Sequence, residues 1–358
     1  MIRTSSTFTR AFFLFTAWFG LICLVFPVKP APVAAAEFHF TILHTNDEHS
    51  ALIPHSAAVD YALAPEENAG AARAGANPAV GGFARLAGAV KQLRAEKAGQ
   101  GEEVLLVSAG DFLGGTPYAW LALSGQAAEL TLMRRIGYDL VTFGNHEFDY
   151  GPEVLAGYLQ AAGYPEAAAG TPVVATNTTP PADHPLAAVG LARTHLVELG
   201  NGLRVGFFAL LGKNAISVVA KPGPVRFDDQ HQAAREAVAA LKARGAQVII
   251  AVTHAGIAED RELAQQVEGI DLIISGHCHT ALTEPLREGR TIIAQTGNSL
   301  QYLGVLELAY TPGGGLQLRN KPNRPYLLPL DDRITPDPEI AAAVAEYTGA
   351  CGQLLAAA

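Results

Sequence analysis

The chain has 358 residues, 49% hydrophobic and 16% charged, with 25 Lys+Arg against 34 Asp+Glu and a formal net charge of −9. That balance excludes a disordered or fibrous chain and a nucleic-acid polymer held on a basic surface. Three cysteines are too few for a disulfide scaffold, and the length allows one large domain or two ordinary ones.

Residues 1–36 read as a secretory signal. Arg3 and Arg10 precede an apolar run, Ala11 to Phe26, and Ala34-Ala35-Ala36 offers a small-residue cleavage site. The run is short for a membrane span, so cleavage rather than a retained anchor is expected. The segment before Cys23, Gly-Leu-Ile, lacks the small residue of a lipoprotein cue. The expected mature protein is secreted or periplasmic, has no stable membrane anchor and contains no later segment long and apolar enough to span. It keeps Cys278 and Cys351, which an oxidising compartment would allow to pair.

Residues 39–45 predict a buried strand. Residues 51–80, rich in Ala, Pro and Gly, predict a long surface loop. A helix follows Gly81-Gly82 to about Ala95. Strand 103–108, helix 125–136, strand 139–143, a short strand at 173–176 and strand 203–211 come next. Helical spacing over 229–244 ends at Gly245. Strand 247–253, helix 258–267 and strands 271–275, 291–295 and 302–309 follow. From Asp337 an Ala-rich helix is expected to break near Gly349 and Gly352. Apolar strands alternating with amphipathic helices predict an α/β fold with sheets covered on both faces. No internal repeat or mid-chain linker is visible.

The polar residues that follow these strands carry the chemistry. Asn46-Asp47-Glu48-His49 follows the first, Gly110-Asp111 the second, and Gly144-Asn145-His146-Glu147-Phe148-Asp149 the third. His254 follows 247–253, and Gly276-His277-Cys278-His279 follows 271–275. In open α/β sheets ligands bind beyond the carboxyl ends of strands, so these residues should converge on one cleft. Carboxylate, imidazole and amide oxygen together suit Zn, Mn, Fe or Co rather than a thiolate site or a calcium cage. Asp47, His49, Asp111, Asn145, His254, His277 and His279 are too many ligands for one four-coordinate ion. They suit two divalent ions bridged by one carboxylate, which acidify a water and clamp an in-line displacement. The expected reaction is hydrolysis of an anionic ester or anhydride.

Asp47-x-His49, Gly110-Asp111, Gly144-Asn145-His146-Glu147, His254 and Gly276-His277-x-His279 resemble the calcineurin-like metallophosphoesterase signature. LHTNDEH, GGFARLA, SAGDFLGGTP and GNHEFDYG resemble the secreted 5′-nucleotidase and UDP-sugar hydrolase family. The resemblance implies two mixed β-sheets flanked by helices in α-β-β-α layers. It places Asp47, His49 and His279 on one metal, Asn145, His254 and His277 on the other, and Asp111 between them. It implies a catalytic His146 oriented by Asp149. Asn145 and Asn177 are the candidate substrate-side residues, with a turn role for Asn177 equally open. Glu147 is expected to brace its motif, Cys278 to be a small packed residue, and Gln295 to Asn298 to shape the cleft rim. Cys351 and His39, His44, His55, His184, His195 and His231 are given ordinary structural roles.

The expected organisation is a signal at 1–36, a catalytic domain at 37–335 and a helical tail at 336–358. The family's C-terminal nucleotide-binding domain is read as absent. That leaves either a single-domain enzyme of broad specificity or one whose second domain sits on a partner chain. The leading function is an exported, dinuclear metal-dependent phosphohydrolase acting on a small phosphate monoester, with 5′-nucleotides as candidates. Alternatives at the same site are a thiosulfohydrolase-like activity, a cyclic-nucleotide phosphodiesterase, and a metal-binding protein without turnover.

Overall fold

The structure, a computed structural model, describes residues 36–56 and 79–357. The expected signal before residue 36 and the centre of the expected loop, 57–78, lie outside the described residues.

Alternation of apolar side chains builds two faces on every long strand. In Phe38–Thr45 (β1), Phe40 and Ile42 enter one core and Leu43 another. Glu103–Ser108 (β2) repeats the pattern with Leu105 and Val107 against Leu106, and Leu140–Val141 (β3) follows. The later strands are His195–Glu198 (β4), Arg204–Leu211 (β5), Val248–His254 (β6), Leu272–Ser275 (β7), Leu286–Glu288 (β8) and Thr291–Ala294 (β9). Tyr302–Thr311 (β10), Gly315–Leu318 (β11) and Leu327–Pro329 (β12) complete the two large sheets.

One six-stranded sheet runs β11-β10-β1-β2-β3, with β12 also paired to β10. The other runs β8-β9-β7-β6-β5-β4. β1, β2 and β3 are parallel, as are β5, β6, β7 and β9, so within each sheet these carboxyl ends share one edge. Phe40, Ile42, Leu105 and Val107 meet Phe207, Ile250, Val252 and Ile274 between the sheets.

Helices cover the outer faces. Phe83–Ala98 (α1), Ala128–Ile136 (α2) and Pro152–Ala161 (α3) pack Leu86, Val90, Leu130 and Leu159 against the first sheet. Lys213–Ser217 (α4) is a single turn after β5. Gln230–Ala243 (α5), capped by Asp229 accepting from Gln232 N at 2.8 Å, and Ile257–Gln266 (α6) cover the second sheet through Ala234, Val238, Leu241 and Leu263. Pro338–Ala357 (α7) returns to the first sheet's helices through Ile340, Ala343, Val344 and Cys351. The layers are therefore helix, sheet, sheet, helix.

Several expected elements differ. Residues 173–176 form no strand, because Val173 and Val174 make only single bridges to Val141 and Ala192. The strand expected at 139–143 shortens to β3. Ala51 and Leu52 are buried, and His55–Ser56 pairs with Ala79–Val80, so the ends of the expected surface loop belong to the fold. A 3₁₀ segment, Pro117–Ser124, precedes α2, and α3 and β4 add to the expected elements. α7 is unbroken, since a Cβ at Gly349 or Gly352 would meet nothing within 4 Å: both glycines lie on the open side and cost only helix propensity. Contrary to the expectation of no later apolar segment, α7 is long and apolar enough by composition to cross a membrane. Cys278 and Cys351 are both free, and Cys351 is buried on the inward face of α7 with its thiol toward Pro117 O.

Candidate metal centre

The loops after β1, β2, β3, β6 and β7 meet at one edge of the paired sheets. The loop after β1 is stitched to the loop after β2: Asp47 N donates to Gly110 O (2.9 Å), His49 N to Asp111 O (2.9 Å) and Ser50 N to Phe112 O (3.0 Å). His277 N crosses from the second sheet to Asp47 Oδ2 at 2.9 Å. Asp47 (φ 51°), His49 (48°), Asp111 (55°), His277 (82°) and His279 (55°) all adopt left-handed backbone. For non-glycine residues this conformation costs on the order of 1–3 kcal/mol each and marks functional turns. A Cβ at Gly144 would collide with the Asp111 carboxylate, which is why the loop after β3 can approach so closely.

Three overlapping groups place their donor atoms within 4.8 Å of one another: Asp47, His49 and His279; Asp47, Asp111 and His254; and His49, Asp111 and His146. His49 Nε2 lies 3.0 Å from His279 Nε2, and the two rings stand 3.8 and 3.3 Å from Asp47 Oδ1. His254 Nε2 lies 3.0 Å from Asp111 Oδ2. The other nitrogen of His254 donates to Ala109 O at 2.9 Å, which aims Nε2 at the carboxylates. Asn145 Oδ1 is buried without a hydrogen-bond partner. His277 lies beside His254, ring centroids 5.0 Å apart, with its Nε2 2.8 Å from Asn214 Oδ1.

The donor set fits divalent cations on these observations. Asp47 and Asp111 are buried, and their ion-pair partners among the described residues are all histidines. Two ring nitrogens converging beside a carboxylate and an orphaned amide oxygen need a proton or a cation to satisfy them. Burial alone would lower the His254 pKa, but Asp111 and Asp47 carry it up to about 10. Against the penalty of burial, His254 and then His49 hold Asp111 well below the usual carboxylate range. Burial lowers both His49 and His277.

His146 stands at the mouth of this cluster. Its Nδ1 is 2.7 Å from Asp149 Oδ2, and its backbone N donates to Asp111 Oδ1 at 2.8 Å. The Asp149 hydrogen bond raises the imidazole to about 9. Glu147 turns inward and accepts from Asp111 N (3.0 Å), Leu113 N (3.0 Å) and Gly144 N (2.5 Å), tying the second and third loops together.

Asn177 sits elsewhere. It is fully buried, with Oδ1 accepting from Leu211 N (3.0 Å) and Nδ2 donating to Leu211 O (2.9 Å) and Asp228 O (3.2 Å). Those bonds spend its amide on the backbone beyond β5. Gln295 is buried behind the His277–His279 loop rather than on a rim. It accepts from Thr280 N at 2.5 Å and donates to Ser275 Oγ and Gly276 O. Cys278 is exposed, not packed; its thiol faces Thr280 and Gln295. Phe148 is core, stacked edge-on against Phe143 and Phe227, whereas Trp120 is 48% exposed.

Two supporting residues carry no role in the sequence motifs. Asn46 donates to Asp47 Oδ2 (2.6 Å) and Gly297 O (2.6 Å) and accepts from Thr296 N (2.8 Å). Its place in the Asn-Asp pair is the one available signal. Asn214 lies in α4, where no motif marks it.

Helix-flanked paired sheets with a carboxylate–imidazole cluster at their strand ends define the metallophosphoesterase class of α/β protein. The chain belongs to the calcineurin-like phosphoesterase family, whose model matches residues 40–281. It is similar to a probable 5′-nucleotidase of Treponema pallidum (strain Nichols), 35% identical over 249 residues, 69% of this chain and 38% of that protein. Among solved structures it is similar to a 5′-nucleotidase precursor from Thermus thermophilus, with a TM-score of 0.73 and 26% identity over 89% of this chain and 60% of that one. A sulfate thiohydrolase of Thermus thermophilus shares the fold, with a TM-score of 0.72 at 19% identity over 87% of this chain and 60% of that chain. The chain therefore spans between about a third and two thirds of the length of these relatives.

Proposed function

We propose that the protein is an exported, dinuclear metal-dependent phosphohydrolase that cleaves small phosphate monoesters, 5′-nucleotides among them. The observation that carries this reading is the convergence of Asp47, His49, Asp111, His254 and His279 around unsatisfied donor atoms, with the His146–Asp149 pair at the mouth. Residues 1–36 support export, and the similarity to 5′-nucleotidases supports the substrate class.

Asp47, His49 and His279 would hold one cation, Asn145, His254 and His277 the other, and Asp111 would lie between them. Bound there, the cations supply Lewis acidity toward the phosphoryl oxygens and an acidified water. The protein does the rest. Asp149 fixes the proton on His146 Nδ1 and so turns Nε2 toward the cleft. A proton on Nε2 is placed to pass to the leaving-group oxygen as the P–O bond breaks. The backbone bond from His146 N to Asp111 Oδ1 ties this donor to the Asp111 carboxylate, which would lie between the two ions. Glu147 holds the two loops at fixed separation. Asn177, its amide already satisfied, serves the backbone at the end of β5.

The test is hydrolysis of AMP and of an aryl phosphate by chelated protein, before and after adding back Mn, Zn or Co, with Asp111→Asn as the blank. Activity on either ester that depends on metal and vanishes in the blank supports the proposal. Metal-loaded protein that cleaves neither ester contradicts it.

A further inference from the structure

The turn after β5 touches both histidines assigned to the second cation. Gly212 N donates to His254 O at 2.9 Å, and Asn214 Oδ1 stands 2.8 Å from His277 Nε2. The turn is itself held from α6. The Glu259 carboxylate accepts from Lys213 N and Asn214 N, each at 2.8 Å, through separate oxygens. That bidentate clasp caps α4 and fixes the backbone from which the Asn214 side chain projects. A carbonyl oxygen accepts and cannot donate, so a bond from His277 Nε2 to Asn214 Oδ1 requires the ring proton on Nε2.

We propose that Asn214 is a positioning residue: it takes the Nε2 proton of His277 as a hydrogen bond and leaves Nδ1 as the nitrogen offered to the second cation. The inference rests on the metal reading of His277 given above. It adds the tautomer, the residue that fixes it, and Glu259 as the group that holds that residue in place. Partners of this kind raise ligand basicity and remove a rotational choice, and losing one typically weakens metal affinity by roughly 10–100-fold.

The first readout is the tautomer in metal-free, ¹⁵N-labelled full-length chain, by long-range ¹H–¹⁵N correlation at a pH where the ring is neutral. A His277→Gln sample identifies its signals. The expected result is an Nε2–H tautomer in the wild type and a mixture in Asn214→Leu. An Nδ1–H wild type overturns the proposal. The second readout is calorimetric titration with Mn²⁺. Asn214→Leu is expected to weaken one site by roughly 10–100-fold and spare the other, Asn214→Asp to restore it, and Glu259→Ala to weaken the same site less. Asn214 is exposed, so its replacements should leave the fold intact, which circular dichroism checks for every variant. Equal Mn²⁺ binding by wild type and Asn214→Leu overturns the proposal. A wild type with the expected tautomer that binds no Mn²⁺ contradicts the metal reading, and with it the role given to Nδ1.

Discussion

His146 and Asp111 do different work, and substitutions should separate them. Asp111 stands between His254 and His49 with no Lys or Arg beside it among the described residues. Asp111→Asn removes the one carboxylate shared by both proposed ion sites, so metal content and turnover should fall together. On the proposed reading, His146 faces the leaving group. Its loss should leave metal content unchanged and lower kcat by about 10²-fold or more on an alkyl ester. An aryl phosphate, whose leaving group needs less help from a proton, should lose less. Equal losses on both esters would contradict the acid role. Most of these residues were legible because five strands each stop at a His, Asp or Asn, a joint pattern that no single one of those turns would reveal. Asn177 matched the same rule and went to structure instead, since its amide meets three backbone groups. Asn214 was illegible because its partner, His277, is brought to it only by the pairing of β5, β6 and β7.

The elements carry charges the site does not use. Asp260, on α6, is buried against the second sheet and bonded to Thr253 Oγ1 at 2.7 Å. Burial raises its carboxyl from 3.8 to about 7. The folded state then holds a proton that the unfolded chain releases, so this group's stabilising contribution is complete below pH 3.8 and is lost as pH rises to about 7. Asp260→Asn should flatten the fall in melting temperature between about pH 4 and 7; an unchanged slope would remove the assignment. At the other end of β2, Lys97 is 2% exposed and its Nζ lies 2.6 Å from Glu307 and 3.5 Å from Glu102. Lys97→Met removes the buried cation but leaves Glu102 with Arg319 (2.7 Å) and Glu307 with Arg324 (3.3 Å), so it should cost roughly 1–3 kcal/mol in denaturant unfolding. Activity well below the transition should remain, because the pair lies far from the ligand loops in the sheet. Elements with a continuous apolar run or helical spacing, such as β2, β5 and α5, could be read from sequence to within a residue or two. The short β3 and the bridges at Val173 and Val174 could not, because their pairing is decided by neighbours distant in sequence.

At the scale of the whole molecule, the centre exists only when both sheets are packed. Of the proposed ligands, the loops of the first sheet carry Asp47, His49, Asp111 and Asn145, and those of the second carry His254, His277 and His279. Ions bound across that junction favour the folded state by mass action. Chelation should therefore lower the melting temperature of the wild type by several degrees and that of Asp111→Asn by much less, as scanning calorimetry would show. The layered architecture was legible from the alternation of strands and helices. The length of α7 was not, because its glycines face open space and pack against nothing.

The most direct test of the central claim is the number of divalent ions per chain, by elemental analysis of metal-reconstituted wild type and Asp111→Asn. A dinuclear centre requires two in the wild type and a loss of at least one in the variant. One ion or none in the wild type, or two in both, would contradict it.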